Sequence, residues 1–117
     1  FQLLEAAFAG NIKAVLKLYD EQRALKVEPP QIIAMLSWQL HVLALVKTAG
    51  DRNSQDIAAE ARLSPFVIQR SQGIARKLGL SELKKLVKDL LTIDTRLKRE
   101  SIDADEALKN YLLQLSL

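Results

Sequence analysis

The sequence predicts an all-α fold: a single compact domain of about seven helices around one buried helix at residues 30–49. Apolar residues recur along most of its length at the i, i+3, i+4, i+7 spacing of amphipathic helices. Nothing alternates with period two for long enough to make a strand. The isolated glycines Gly10, Gly50 and Gly79 stand where helices should end.

The central helix is the clearest element. Pro30 suits a first helical turn, where a missing N–H costs nothing, and Gly50 suits a left-handed C-terminal cap. Between them Ile33, Leu36, Leu40 and Leu43 form one stripe, widened by Ile32, Met35, Val42 and Val46. Ala34, Ser37, His41 and Thr48 make up the remaining face. A helix apolar around most of its circumference is a core helix. Ser37, Gln39 and His41 interrupt it, and it reads as too short for a membrane span, which needs about 20 apolar residues.

The other elements follow in order. Residues 1–9 place Phe1, Leu4 and Phe8 on one side, and Gly10 ends that helix. Asn11 is a good N-cap for a second helix burying Ile12, Val15, Leu16 and Tyr19. After the loop of residues 26–29 and the central helix, Ser54 is the expected cap of a short helix to Arg62, burying Ile57, Ala58 and Ala61. Ser64 and Pro65 restart the chain as N-cap and first helical residue of a helix running to Leu78. Ser81 is the expected cap of a long helix with a buried stripe of Leu83, Leu86, Val87, Leu90, Ile93 and Leu97. Asp103 and Glu106 have capping-box spacing, and the last helix buries Ala107, Leu108, Tyr111, Leu112 and Leu115.

Composition excludes several chemistries. With no cysteine there is no disulfide scaffold, thiol catalysis or cysteine-based zinc site. No glycine-rich phosphate loop is present, and hence no nucleotide site of the Walker or dinucleotide type. His41, alone in an apolar helix, reads as a core or boundary histidine. Asp103, Asp105 and Glu106 crowd a helix N-terminus, where negative charge is stabilising. Trp38 and Tyr111 could anchor an interface, but on such helices each reads first as core. No catalytic residue, cofactor or metal site is therefore expected. The chain begins inside a helix and Met35 is its only methionine, so it reads as a fragment of a longer protein.

Net charge is +3, but residues 62–99 hold ten basic and three acidic residues, giving +7 against −4 for the remainder. Such a half can steer a polyanion or form a solvated surface. Within it, Ser54 to Leu78 resembles a helix-turn-helix, with Ala58 at the small-residue position and Ile68 buried in the second helix. Gln69, Arg70, Gln72 and Arg76 would then reach base edges or phosphates. Arg62 stands where glycine is usual in such a turn, and Ser71 where a buried aliphatic is expected.

Three stretches carry a family resemblance. They are AGNIKAVLKL at residues 9–18 with EPPQIIAMLSWQL at 28–40; IAAEARLSPFVIQRS at 57–71 with SELKKL at 81–86; and LLTIDTRLK at 90–98. In this order and spacing the chain resembles the C-terminal domain of the delta subunit of the bacterial DNA polymerase III clamp loader, over nearly its whole length. The resemblance implies a non-catalytic collar domain that holds a five-subunit ring together. Its partners would be the ATPase motor subunits and delta-prime, in the bacterial cytoplasm near the nucleoid, with no cofactor and no membrane. The sliding clamp would be met by an absent N-terminal region, and primer–template DNA at most peripherally.

Candidate subunit-contact residues are Leu91, Tyr111, Leu113 and Leu117, apolar side chains on or beside the stripes of the last two helices. Candidate DNA-contacting residues are Gln69, Arg70, Arg76, Arg96, Lys98 and Arg99. Two functions stand open on these residues: assembly module, or autonomous helix-turn-helix DNA-binding domain using residues 54–78.

Overall fold

A computed structural model, describing residues 1–116, has the expected all-α architecture. Among the described residues there are seven helices: α1 (Gln2–Phe8), α2 (Ile12–Ala24), α3 (Pro29–Ala49), α4 (Ser54–Ala61), α5 (Pro65–Ala75), α6 (Leu80–Arg99) and α7 (Ala104–Leu115). The residues sort into two compact units, one of Phe1–Ser37 with Lys88 onward and one of Trp38–Val87. In the first, α1, α2 and α7 pack on one another; in the second, α4 packs on α5.

Helix α3 is the buried helix the sequence predicts. Ile32, Ile33, Leu36, Leu40, Val42, Leu43 and Val46 are all nearly inaccessible, and removing each such side chain from water contributes roughly 1.5–3 kcal/mol. The helix starts at Pro29 rather than Pro30. The Glu28 carbonyl accepts from the amides of Gln31 and Ile32, and the Gln31 side chain accepts from the Glu28 amide, half of a capping box. Contrary to the expectation from sequence, its length does not exclude a membrane span, because 21 residues of this composition would suffice. Burial of its apolar residues within the protein is what marks it as core.

One face of α3 stays open. Ala34, Trp38, His41, Leu45 and Thr48 recur at i, i+4, i+7, i+11 and i+14 and are all exposed. Trp38 is thus not core, contrary to expectation, because its turn places it in that stripe. Gln39 goes the other way: it is buried, and its Oε1 has no hydrogen-bond partner, which carries a desolvation cost.

Several helix ends differ from the sequence reading for local reasons. Asn53, not Ser54, caps α4, its Oδ1 accepting from the Gln55 amide at 2.7 Å. Helix α6 begins at Leu80, with the Gly79 carbonyl accepting from the Leu83 amide, so Ser81 lies inside the first turn. Helix α5 ends at Ala75, and Lys77 and Leu78 continue with tighter i→i−3 bonds to Ile74 and Ala75. The caps read at Asn11, Ser64 and Asp103 are present, accepting from Ala14, Phe66 and Glu106. Gly10 and Gly50 take the left-handed conformation expected of helix ends.

Burial along the amphipathic helices follows the predicted stripes at their centres and weakens at their ends. Val15 and Tyr19 of α2 are fully buried, whereas Ile12, in its first turn, is exposed. Leu83 and Leu90 anchor α6, while Leu86, Val87, Ile93 and Leu97 are half-buried. Leu108, Tyr111 and Leu112 carry α7.

Candidate functional site

A polar cluster ties α7 to α2. The Tyr19 hydroxyl donates to Asp105 Oδ1 at 2.6 Å, and Arg23 Nε donates to the same oxygen at 2.8 Å. Arg23 also donates to the Val27 carbonyl and pairs with Glu28 at 3.4 Å. One turn on, Lys109 bridges to Asp20 and lies 5.5 Å from the Tyr19 ring centroid, a favourable cation–π distance. The Tyr19 hydrogen bond, joined by Arg23, holds the Asp105 carboxyl below its usual range. Burial, then the hydrogen bond to Asp105, pushes the Tyr19 phenol up. Asp105 was read from sequence as one of several charges at a helix N-terminus; its partners lie more than eighty positions away, and no local pattern announces them.

Helices α4 and α5 form the expected tight pair. Arg62 closes α4 in the left-handed region at φ 58°, the conformation for which glycine is usual at this position. Ala58 and Ile68 are buried at the contact. Ser71 is fully buried as well, and it satisfies its hydroxyl by donating to the Val67 carbonyl at 2.8 Å. The outer face of α5 gathers the sequence candidates: Gln69 and Arg76 are exposed and Arg70 half-buried beside Phe66, itself 67% exposed.

Next to this face, a cleft of about 510 Å³ is lined by Lys47, Arg52, Asn53, Ser54, Gln72 and Arg76. Its cations are partly committed, since Lys47 donates to the Ala75 carbonyl and Arg52 pairs with Glu60 at 2.6 Å. The hydrogen bond from Arg52 holds the Glu60 carboxyl below its ordinary range.

The candidates on α6 and α7 separate into different environments. Leu91 is 52% exposed, in a stripe with Lys84, Lys88, Thr95 and Lys98. Arg96 pairs with Glu100 and Lys98 with Asp94 along the same helix, and Arg99 is exposed. Tyr111 is buried and lines a groove between α6 and α7 with Asp89, Thr92, Arg96, Asn110 and Gln114. Burial, with the nearby Asp89 charge, pushes its phenol up. Leu113 is half-buried, and Leu117 lies outside the described residues. The DNA candidates thus fall on α6 and on α5 with its C-cap, in two units, and the described contact candidates on α6 and α7. Among the described residues no group of His, Cys, Asp or Glu has a metal-binding arrangement.

Comparison with known proteins gives a consistent result. A family model for the DNA polymerase III delta subunit, C-terminal domain, matches residues 1–115. The DNA polymerase III subunit delta of Bacillus subtilis is 23% identical over 117 residues, covering 98% of this chain and 34% of that protein. The structure of the Bacillus subtilis DNA clamp loader delta protein superposes with a TM-score of 0.90 at 22% identity, over 97% of this chain and 34% of the other. The chain therefore spans about a third of the length of these relatives.

Proposed function

The chain belongs to the C-terminal-domain family of the DNA polymerase III delta subunit, and from that premise we propose that it is a non-catalytic collar module of a bacterial clamp loader. Its work is assembly: it packs against the corresponding domains of the ATPase subunits and delta-prime, holding a five-membered ring together in the bacterial cytoplasm. The sliding clamp is engaged by another region of the protein, and primer–template DNA is met only at the periphery.

The observation that carries this reading is the family match along residues 1–115. The surface is compatible with it. Subunit interfaces use apolar anchors ringed by polar and basic side chains rather than a catalytic cleft. Leu91, set in a lysine stripe, is such an anchor on α6, and Leu113 is a second candidate on α7. Tyr111 is itself closed to solvent within the chain.

The test is size-exclusion chromatography with light scattering on the protein mixed with the ATPase subunit. A defined hetero-complex is expected, weakened at least about tenfold by Leu91→Glu, since a carboxylate in an apolar contact is left desolvated. Unchanged affinity in the variant would remove α6 from the interface.

A second reading, duplex recognition through α5, is favoured by the left-handed turn at Arg62, which gives α4 and α5 the form of a helix-turn-helix. It requires steep salt dependence of duplex binding, and loss of affinity in Arg70→Ala and Arg76→Ala.

A further inference from the structure

Helix α6 carries six basic residues against three acidic ones, and its register sorts them. Ser81, Lys84, Lys88, Thr92, Thr95 and Arg99 recur at i, i+3, i+7, i+11, i+14 and i+18, which at 3.6 residues per turn is one straight line along the helix. All six are exposed, and the line lies opposite the buried Leu83 and Leu90. Every position on it is a cation or a hydroxyl. Glu82, Asp89 and Asp94 stand roughly 90° or more around the helix from it.

The cations on this line are uncommitted. Arg96 pairs with Glu100 and Lys98 with Asp94, all to its sides. Lys84, Lys88 and Arg99 make no ion pair among the described residues. Lys84 and Lys88 are like charges at i, i+4, which repel, and an anion laid between them removes that cost. The Thr92 hydroxyl donates to the Lys88 carbonyl, so Ser81 and Thr95 are the hydroxyls left to donate outward.

This chemistry specifies the occupant. Lysine, arginine and hydroxyl side chains bind phosphate oxygens, and the line is about 27 Å long, against about 34 Å for one turn of a DNA duplex. It has no aromatic ring on which an unpaired base could stack, as single-strand sites use. A protein interface depletes charge at its centre; here charge holds the centre, and the apolar Leu91 stands at one edge.

We infer that this line of α6 holds the phosphate backbone of a nucleic-acid duplex, independently of base sequence. The inference goes beyond the assembly reading and stands on the charge of one helix. Lys84 and Lys88 neutralise one part of the backbone and Arg99 a part further along it, with Ser81 and Thr95 donating to phosphate oxygens beside them.

The experiment measures binding of a fluorescent DNA duplex, over a range of salt concentrations, by the full-length protein that carries this chain. The parent is compared with Lys84→Ala, Lys88→Ala and Arg99→Ala combined. A control combines Lys13→Ala and Lys17→Ala, which removes exposed cations from α2. Thermal midpoint, and assembly with the ATPase and delta-prime subunits, are read alongside. The triple variant should keep the parent's midpoint, since its side chains are exposed and unpaired. It should bind duplex at least about tenfold more weakly at low salt, and its plot of log affinity against log salt should flatten by about 0.9 for each cation removed. The control should retain its affinity, and a change of duplex sequence should alter nothing. No duplex binding by the parent at low salt, or unchanged affinity in the triple variant, would overturn the inference and leave the assembly reading intact. An equal loss in the control would overturn it too, because net charge alone would then be felt. Weaker assembly with duplex binding unchanged would overturn it in favour of an acidic protein occupant.

Discussion

Asp105 accepts from Tyr19 and Arg23 together, so its folded carboxyl stays charged at pH values where an unconstrained one is already protonating. A depressed folded pKa stabilises the native state above the unfolded value of about 4, and that contribution is lost as pH falls through the folded pKa. Asp105→Asn should lower stability at pH 7 by about 1 kcal/mol, a figure discounted for the partial exposure of the group. The gap between variant and parent should then close below about pH 4. Urea titrations at pH 7, 4 and 3 check this, and a gap independent of pH would show that the charge is not what matters. From sequence alone Asp105 could be placed at a helix start but not joined to Tyr19. Only the fold brings α2 and α7 together.

At the scale of elements, the helices were legible because apolar spacing and capping residues are local signals. Asn11, Ser64, Asp103, Gly10 and Gly50 were placed correctly by that logic. The misread ends have local competitors: Asn53 offers a better-placed acceptor than Ser54, and the Gly79 carbonyl lets α6 start before Ser81. Trp38 was misjudged because a helix apolar nearly all round does not reveal which narrow face is left open. Arg62 offers a test at this scale, since a non-glycine residue is held there in the left-handed region. Arg62→Gly should stabilise the chain by up to about 1 kcal/mol, seen as a higher thermal midpoint. A lower midpoint would mean that the Arg62 side chain contributes more than its backbone costs.

At the scale of the whole molecule, the family was legible from three stretches spread over most of the chain, and the match over residues 1–115 agrees with it. The binding surface was less legible. Leu91, Leu113 and Leu117 were proposed from apolar surplus, which cannot separate a residue that widens the core from one that meets a neighbour. Exposure distinguishes Leu91 from Tyr111: the first is half open to solvent and the second is closed. Gln69, Arg70 and Arg76 are candidates for DNA by charge and polarity alone; Gln69 and Arg76 are exposed and Arg70 is half-buried. Charge counts along the sequence do not record whether cations stand at the centre or the rim of a face.

The central claim is that this chain assembles a clamp loader. Its most direct test is the mass, by light scattering, of the complete five-subunit mixture prepared with the protein intact and with residues 1–117 removed. A ring of five with the intact protein, lost when these residues are absent, is the expected result. A ring of unchanged mass and stability without them would contradict the claim.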